Sequence, residues 1–128
     1  MIAWLERNSW ISWIITIALG ILIFYFSTLT FPSGSGSGSN INSIFYHIII
    51  FFLFAFFLTN SLVKGGNKNF IILAIIASIV YGISDEIHQL YVPGRSSTIF
   101  DIFLDSIGIL SASVIYLLLL EYRNGHSK

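Results

Sequence analysis

Four apolar runs, residues 10–29, 44–63, 70–90 and 99–120, constrain this 128-residue chain more than anything else in it. About twenty residues at roughly 1.5 Å rise cover a hydrocarbon layer of roughly 30 Å. A helix also satisfies its own backbone N–H and C=O groups, as lipid requires. The expected fold is therefore all-α: a polytopic bundle of four transmembrane helices in one membrane domain spanning residues 1–128. Composition points the same way. Hydrophobic residues make up 55% of the chain and charged residues 9%, whereas a water-soluble domain has about a quarter of its residues charged. Six basic and six acidic residues balance to zero, which gives no electrostatic footprint for nucleic acid. The absence of Cys excludes disulfides and thiolate chemistry.

The first run follows Arg7 and is longer than the usual apolar core of a signal peptide, with no small-residue cleavage site after it, so it reads as a retained anchor. Trp4, Trp10 and Trp13 stand where an interfacial aromatic belt belongs, and Tyr122 takes that place near the other terminus. Pro32 and the alternating Gly and Ser of residues 33–39 form a flexible coil without chemistry. Residues 64–69 make a short Gly-rich turn, and Pro93 and Gly94 stop the third helix. With four spans, Arg7, Lys64, Lys68, Arg123 and Lys128 fall on one side and Arg95 on the other. The excess of basic residues predicts cytoplasmic termini and an outward-facing turn between the third and fourth spans.

Four of the six acidic residues, Asp85, Glu86, Asp101 and Asp105, lie in the segment joining those two spans, with His88, Gln89 and Arg95 among them. His47, at the start of the second span, is predicted at the same level. At about 100° per residue, Tyr81, Gly82, Asp85, Glu86, His88 and Gln89 occupy roughly half the circumference of the third helix. On the fourth, Ser97, Asp101, Asp105, Gly108 and Ala112 form a stripe about 100° wide that should face another helix. Asp105 lies one turn, roughly 6 Å, deeper than Asp101. A carboxylate at the bilayer centre costs at least about 2.5 kcal/mol, so Asp105 has to be protonated, paired or solvated through the bundle interior. Four carboxylates against one Arg leave a deficit of three if the imidazoles are neutral. Retained protons, protonated His47 or His88, or a divalent cation with oxygen and imidazole ligands could each offset it. Ser96, Ser97 and Thr98 are candidate caps for the fourth helix, and the Phe-rich run 51–57 is packing and lipid-facing material.

The stretch Y-G-I-S-D-E-I-H-Q-L-Y-V-P-G-R-S-S-T-I-F-D-I-F-L-D-S-I-G, residues 81–108, closely resembles the signature of VanZ-like membrane proteins. Glu86 and Gln89, the Pro93, Gly94, Arg95 and Ser96 turn, Asp101, and Asp105 ahead of Gly108 carry the resemblance, and His47 is similar to the family's histidine on the second helix. Where that family usually has an Asp-Lys pair before the His and a Tyr one turn after it, this chain has Ser43, Ile44 and Phe51. The resemblance implies an integral membrane protein of a family named for a member linked to teicoplanin resistance.

Two classes of function follow as expectations. In one, an outward-facing polar site binds or protects a cell-envelope lipid or glycopeptide-related target, with His47, Gln89, Arg95 and Asp105 as binding residues. In the other, a small membrane hydrolase or transferase acts on a lipid-linked or phosphate-bearing substrate, with Glu86, His88 and Asp101 as candidate catalytic residues. The alternative for Glu86, Arg95 and Asp101 is an ion-paired clamp on the turn. A proton or ion pathway fits less well, because the charges sit at one end of the bundle.

Overall fold

A computed structural model describes residues 2–29, 41–95 and 97–126 of the chain. They form a short α1 (Ile2–Arg7) and four long helices, α2 (Ser9–Thr28), α3 (Ile41–Val63), α4 (Asn69–Leu90) and α5 (Ile99–Gly125), with no strand among the described residues. All four long helices are long and apolar enough to cross a membrane, and the chain is a multi-pass membrane protein. The Gly and Ser run at 33–39, Pro32 and Ser96 lie outside the described residues.

The burial pattern is that of a membrane bundle. Large apolar residues such as Ile14, Ile17, Ile21, Ile72, Leu110 and Val114 are exposed, while Ser12, Thr16, Ser27, Thr59, Asn60, Ser78 and Ser113 are buried between helices. Lipid tails are as apolar as Leu, so helices associate through close packing and polar contacts rather than by hiding apolar surface. Several buried hydroxyls bond back to their own helix: Thr16 Oγ1 donates to the Ser12 carbonyl at 2.8 Å and Ser113 Oγ to that of Ile109 at 2.9 Å.

The α3 and α5 helices share the most extensive contact in the bundle, and a small residue decides how close they come. A Cβ on Gly108 would overlap the Ile48 carbonyl and crowd the Phe52 amide of α3. Ala112, one turn on, has no exposed surface. The small-residue stripe expected on the fourth span thus lies against α3.

The two ends of the bundle are fastened differently. At one end, Glu6 of α1 is buried and accepts hydrogen bonds from Tyr116 Oη at 2.8 Å and from the Arg123 guanidinium, both on α5. A Cβ on Gly65, in the α3–α4 turn, would collide with Glu6 and Arg123, and its φ of +71° is backbone that glycine adopts without strain. Lys68 also pairs with Glu121 at 3.1 Å there, on the surface. At the other end, the α4–α5 turn closes through Gly94 at φ +80°.

Replacing Gly108 with Val forces α5 away from α3, and overpacking of this kind costs about 1–3 kcal/mol. The expected result is a lower unfolding midpoint for Gly108→Val in detergent, with a smaller loss for Gly108→Ala. Equal midpoints for wild type and Gly108→Val would show that this approach is not tight.

Candidate functional site

The polar cluster forms where the C-terminal turns of α4, the N-terminal turns of α5 and the start of α3 meet. Gly108 sets the spacing. It rests on the backbone at Ile48, next to His47, and Asp105 stands three residues before it on the same face of α5. His47 Nδ1 and Asp105 Oδ1 accordingly share a hydrogen bond at 2.8 Å, with both residues buried. This pairing answers the demand that so deep a carboxylate be neutralised or held. The other ring nitrogen, Nε2, faces Asp101 Oδ1 at 3.9 Å, so the imidazole stands between two carboxylates from successive turns of α5.

The second half of the cluster is fixed by the start of α5. Thr98 has an extended backbone and caps the helix, accepting from the Asp101 amide at 3.2 Å and donating to Asp101 Oδ2 at 2.7 Å. The Thr98 side chain thus caps the Asp101 amide, and its own backbone N–H turns to Glu86 instead of to Asp101. Glu86 of α4, 2% exposed, reaches across the turn, where its Oε2 accepts from Ser97 Oγ at 2.8 Å and from the Thr98 amide at 3.3 Å. The partial positive charge of a helix N-terminus therefore meets two carboxylates, Glu86 and Asp101. Gln89 Nε2 donates to Asp85 Oδ2 at 2.9 Å and lies 3.5 Å from Glu86 Oε1. Arg95, half-buried in the turn, is within electrostatic range of Asp85 and Tyr46.

His47, Glu86, Gln89, Asp101 and Asp105 are thus brought together, with Arg95 at the rim. His88 is directed elsewhere. Its ring lies 4.5 Å from that of Phe24 on α2, and its Nε2 is buried without a hydrogen-bond partner among the described residues. The half-circumference arc on α4 includes both the face toward α3 and α5 and the face toward α2. Tyr46 is an addition. Its ring packs edge-on against His47 at 5.6 Å and its buried hydroxyl has no partner among the described residues. Adjacency to His47 was its only sequence signal. Ser97, expected as a possible cap, gives its hydroxyl to Glu86, and capping falls to Thr98.

An apolar groove of about 490 Å³ runs beside the cluster between α2, α3 and α4. Trp13, Ile17, Gly20, Ile21 and Phe24 of α2 line it along one face, with Phe54 and Tyr81 behind them. Tyr81 Oη donates to the Gly20 carbonyl at 2.6 Å and its ring stacks on Phe54 at 4.9 Å. The groove ends at Phe24, against His88, and Tyr81 stands one turn of α4 from Asp85.

A family model described as VanZ/LLP1 matches residues 10–120, from the start of α2 through most of α5. No curated protein and no solved structure is similar enough to this chain to count as a match.

Glu86→Ala removes the acceptor for Thr98 N–H and Ser97 Oγ. Hydrogen bonds to a charged group contribute about 1.5–3 kcal/mol, so amide exchange at the start of α5 should quicken roughly ten- to a hundredfold. Glu86→Gln, which keeps an acceptor oxygen, should show a smaller change. Unchanged exchange in Glu86→Ala would mean that the Thr98 cap alone holds this helix start.

Proposed function

The chain belongs to the VanZ/LLP1 family, and from that premise we propose that it binds the polar head of a cell-envelope lipid at the outer end of its bundle. The observation that carries this reading is the pairing of a buried imidazole–carboxylate cluster with an apolar groove that runs from Trp13, near the opposite end of the bundle, to Phe24, about one turn short of the same end. The groove's α2 side is exposed at Trp13, Ile17, Ile21 and Phe24, so acyl chains would have direct access to it. Its α2 face, from Trp13 to Phe24, extends for about 16 Å at 1.5 Å per residue.

The chemistry of the head follows from the donor set. Arg95 at the rim suits a phosphate oxygen, since its guanidinium offers a fork of charged donors. The carboxylates of Asp85, Glu86 and Asp101 are acceptors and suit hydroxyl or ammonium groups. A lipid with a phosphate followed by hydroxyl or amine functions meets both. Binding of this kind would shield an envelope target from a glycopeptide such as teicoplanin. Orientation belongs to the same proposal. Arg7, Lys64, Lys68 and Arg123 are at the end away from the cluster, and this excess of basic residues supports a cytoplasmic position for that end with the α4–α5 turn outside.

A second reading, a small enzyme acting on a lipid-linked or phosphate-bearing substrate, is favoured by one observation. His47 is oriented by Asp105 through Nδ1, which leaves Nε2 to take up a proton, as in a general base.

Binding is tested with the purified chain in nanodiscs, comparing phosphatidylglycerol, phosphatidylethanolamine and a lipid-linked sugar phosphate by native mass spectrometry. Retention of one lipid class, weakened at least tenfold in Arg95→Ala, is expected. Equal retention of all three by wild type and variant would refute a headgroup site. Turnover of any of these lipids, lost in His47→Gln while binding persists, would favour the enzyme. Sidedness has its own check: with no native Cys, a Tyr91→Cys variant, at an exposed position of the α4–α5 turn, labelled in intact cells by a membrane-impermeant maleimide should react. Reaction only after permeabilisation would reverse the orientation.

A further inference from the structure

We infer that the His47, Glu86 and Asp105 cluster is a binding site for one divalent transition cation, of the Zn²⁺ or Mn²⁺ class. One nitrogen of His47 and one oxygen each of Glu86 and Asp105 lie within 4.8 Å of one another, and all three residues are buried. Donor atoms on a single cation with bonds of about 2.0–2.2 Å stand roughly 3–4 Å apart. Small side-chain rotations therefore close the set. The three ligands come from α3, α4 and α5, so the site exists only in the folded bundle.

A further observation points to a ligand rather than to a self-contained hydrogen-bond network. Asp105 is 1% exposed, and its Oδ2 has no hydrogen-bond partner among the described residues. That oxygen faces α4, the helix that carries Glu86, and lies 3.3 Å from where a Cβ on Gly82 would stand. Buried carboxylate oxygens without a donor are costly, and a cation satisfies several at once.

Charge gives the same answer. Asp85, Glu86, Asp101 and Asp105 carry four formal negative charges, and Arg95 with neutral His47 supplies one positive charge. A divalent ion removes two of the remaining three. One imidazole with carboxylate oxygens favours Zn²⁺ or Mn²⁺ over Mg²⁺ or Ca²⁺, which take oxygen donors almost exclusively. Asp101, 3.9 Å from His47 Nε2, completes the surroundings. Ligation through Nδ1 would replace its hydrogen bond to Asp105 and move the ring proton to Nε2, on the side where Asp101 stands, and ligating histidines usually turn their other N–H toward such a carboxylate. The inference needs only these side chains and does not rest on the headgroup reading.

The test uses the whole chain, chelator-treated and lipid-depleted in detergent, titrated with ZnCl₂ and MnCl₂ by calorimetry and checked by elemental analysis. One equivalent per chain is expected. Affinity should fall at least tenfold in His47→Gln and Glu86→Gln and stay unchanged in Glu121→Gln, whose side chain is exposed. Absence of stoichiometric binding by wild type, or wild-type affinity in a folded His47→Gln, overturns the site. If the variants do not fold, pulsed electron paramagnetic resonance of Mn²⁺-loaded wild type decides. A nitrogen coupling from an imidazole supports the site, and the spectrum of fully hydrated Mn²⁺ refutes it. Because no lipid is present, a failure here is separable from failure of lipid binding.

Discussion

The approach of α5 to α3 at Gly108 is the contact on which the polar end of this bundle depends. A glycine there lets one helix backbone rest on another beside Ile48, and the helical repeat then carries Asp105 to His47. Move the helices apart by the width of a side chain, and the 2.8 Å imidazole–carboxylate bond is broken in the depth of the membrane, where an unpaired charge is most costly. Packing and electrostatics are therefore not separate contributions at this point. The glycine makes the imidazole–carboxylate hydrogen bond reachable, and that bond rewards the close approach.

Much of this architecture is legible in the chain. Four apolar runs of bilayer length specify four helices because lipid leaves no alternative for the backbone. The stripe from Ser97 to Ala112 identifies the packed face of α5, since small and acidic residues do not face lipid at that spacing. Less is legible at the ends. The α5 helix continues to Gly125, past the apolar run, through Glu121, Tyr122 and Arg123. Its last turns are secured by partners far away in sequence, because Arg123 meets Glu6, 117 residues earlier. The six-residue α1 is too short to show a period, and its buried Glu6 has no local signal of its role.

The site was readable as a composition and less so as a geometry. Concentration of acids in the α4–α5 segment and the level of His47 together indicate a cluster. What helical spacing does not resolve is direction within a broad polar arc. Glu86 and His88 lie within the same half-turn of α4, yet Glu86 crosses to the α5 N-terminus and His88 lies against Phe24 of α2. The Glu86 contacts with Ser97 and Thr98 need the turn to close in three dimensions, through the positive φ of Gly94. A linear reading contains the residues but not that closure.

The sideways opening of the groove between α2, α3 and α4 changes how occupancy has to be reckoned. A ligand that arrives along the membrane diffuses in two dimensions, and its mole fraction in the leaflet, not its aqueous concentration, sets the degree of filling. An abundant lipid would hold such a groove nearly full even when each encounter is weak, whereas a scarce one must compete with every bulk neighbour. Under the proposed lipid-binding role, selectivity would have to come from the polar end, because the groove wall treats all hydrocarbon tails alike.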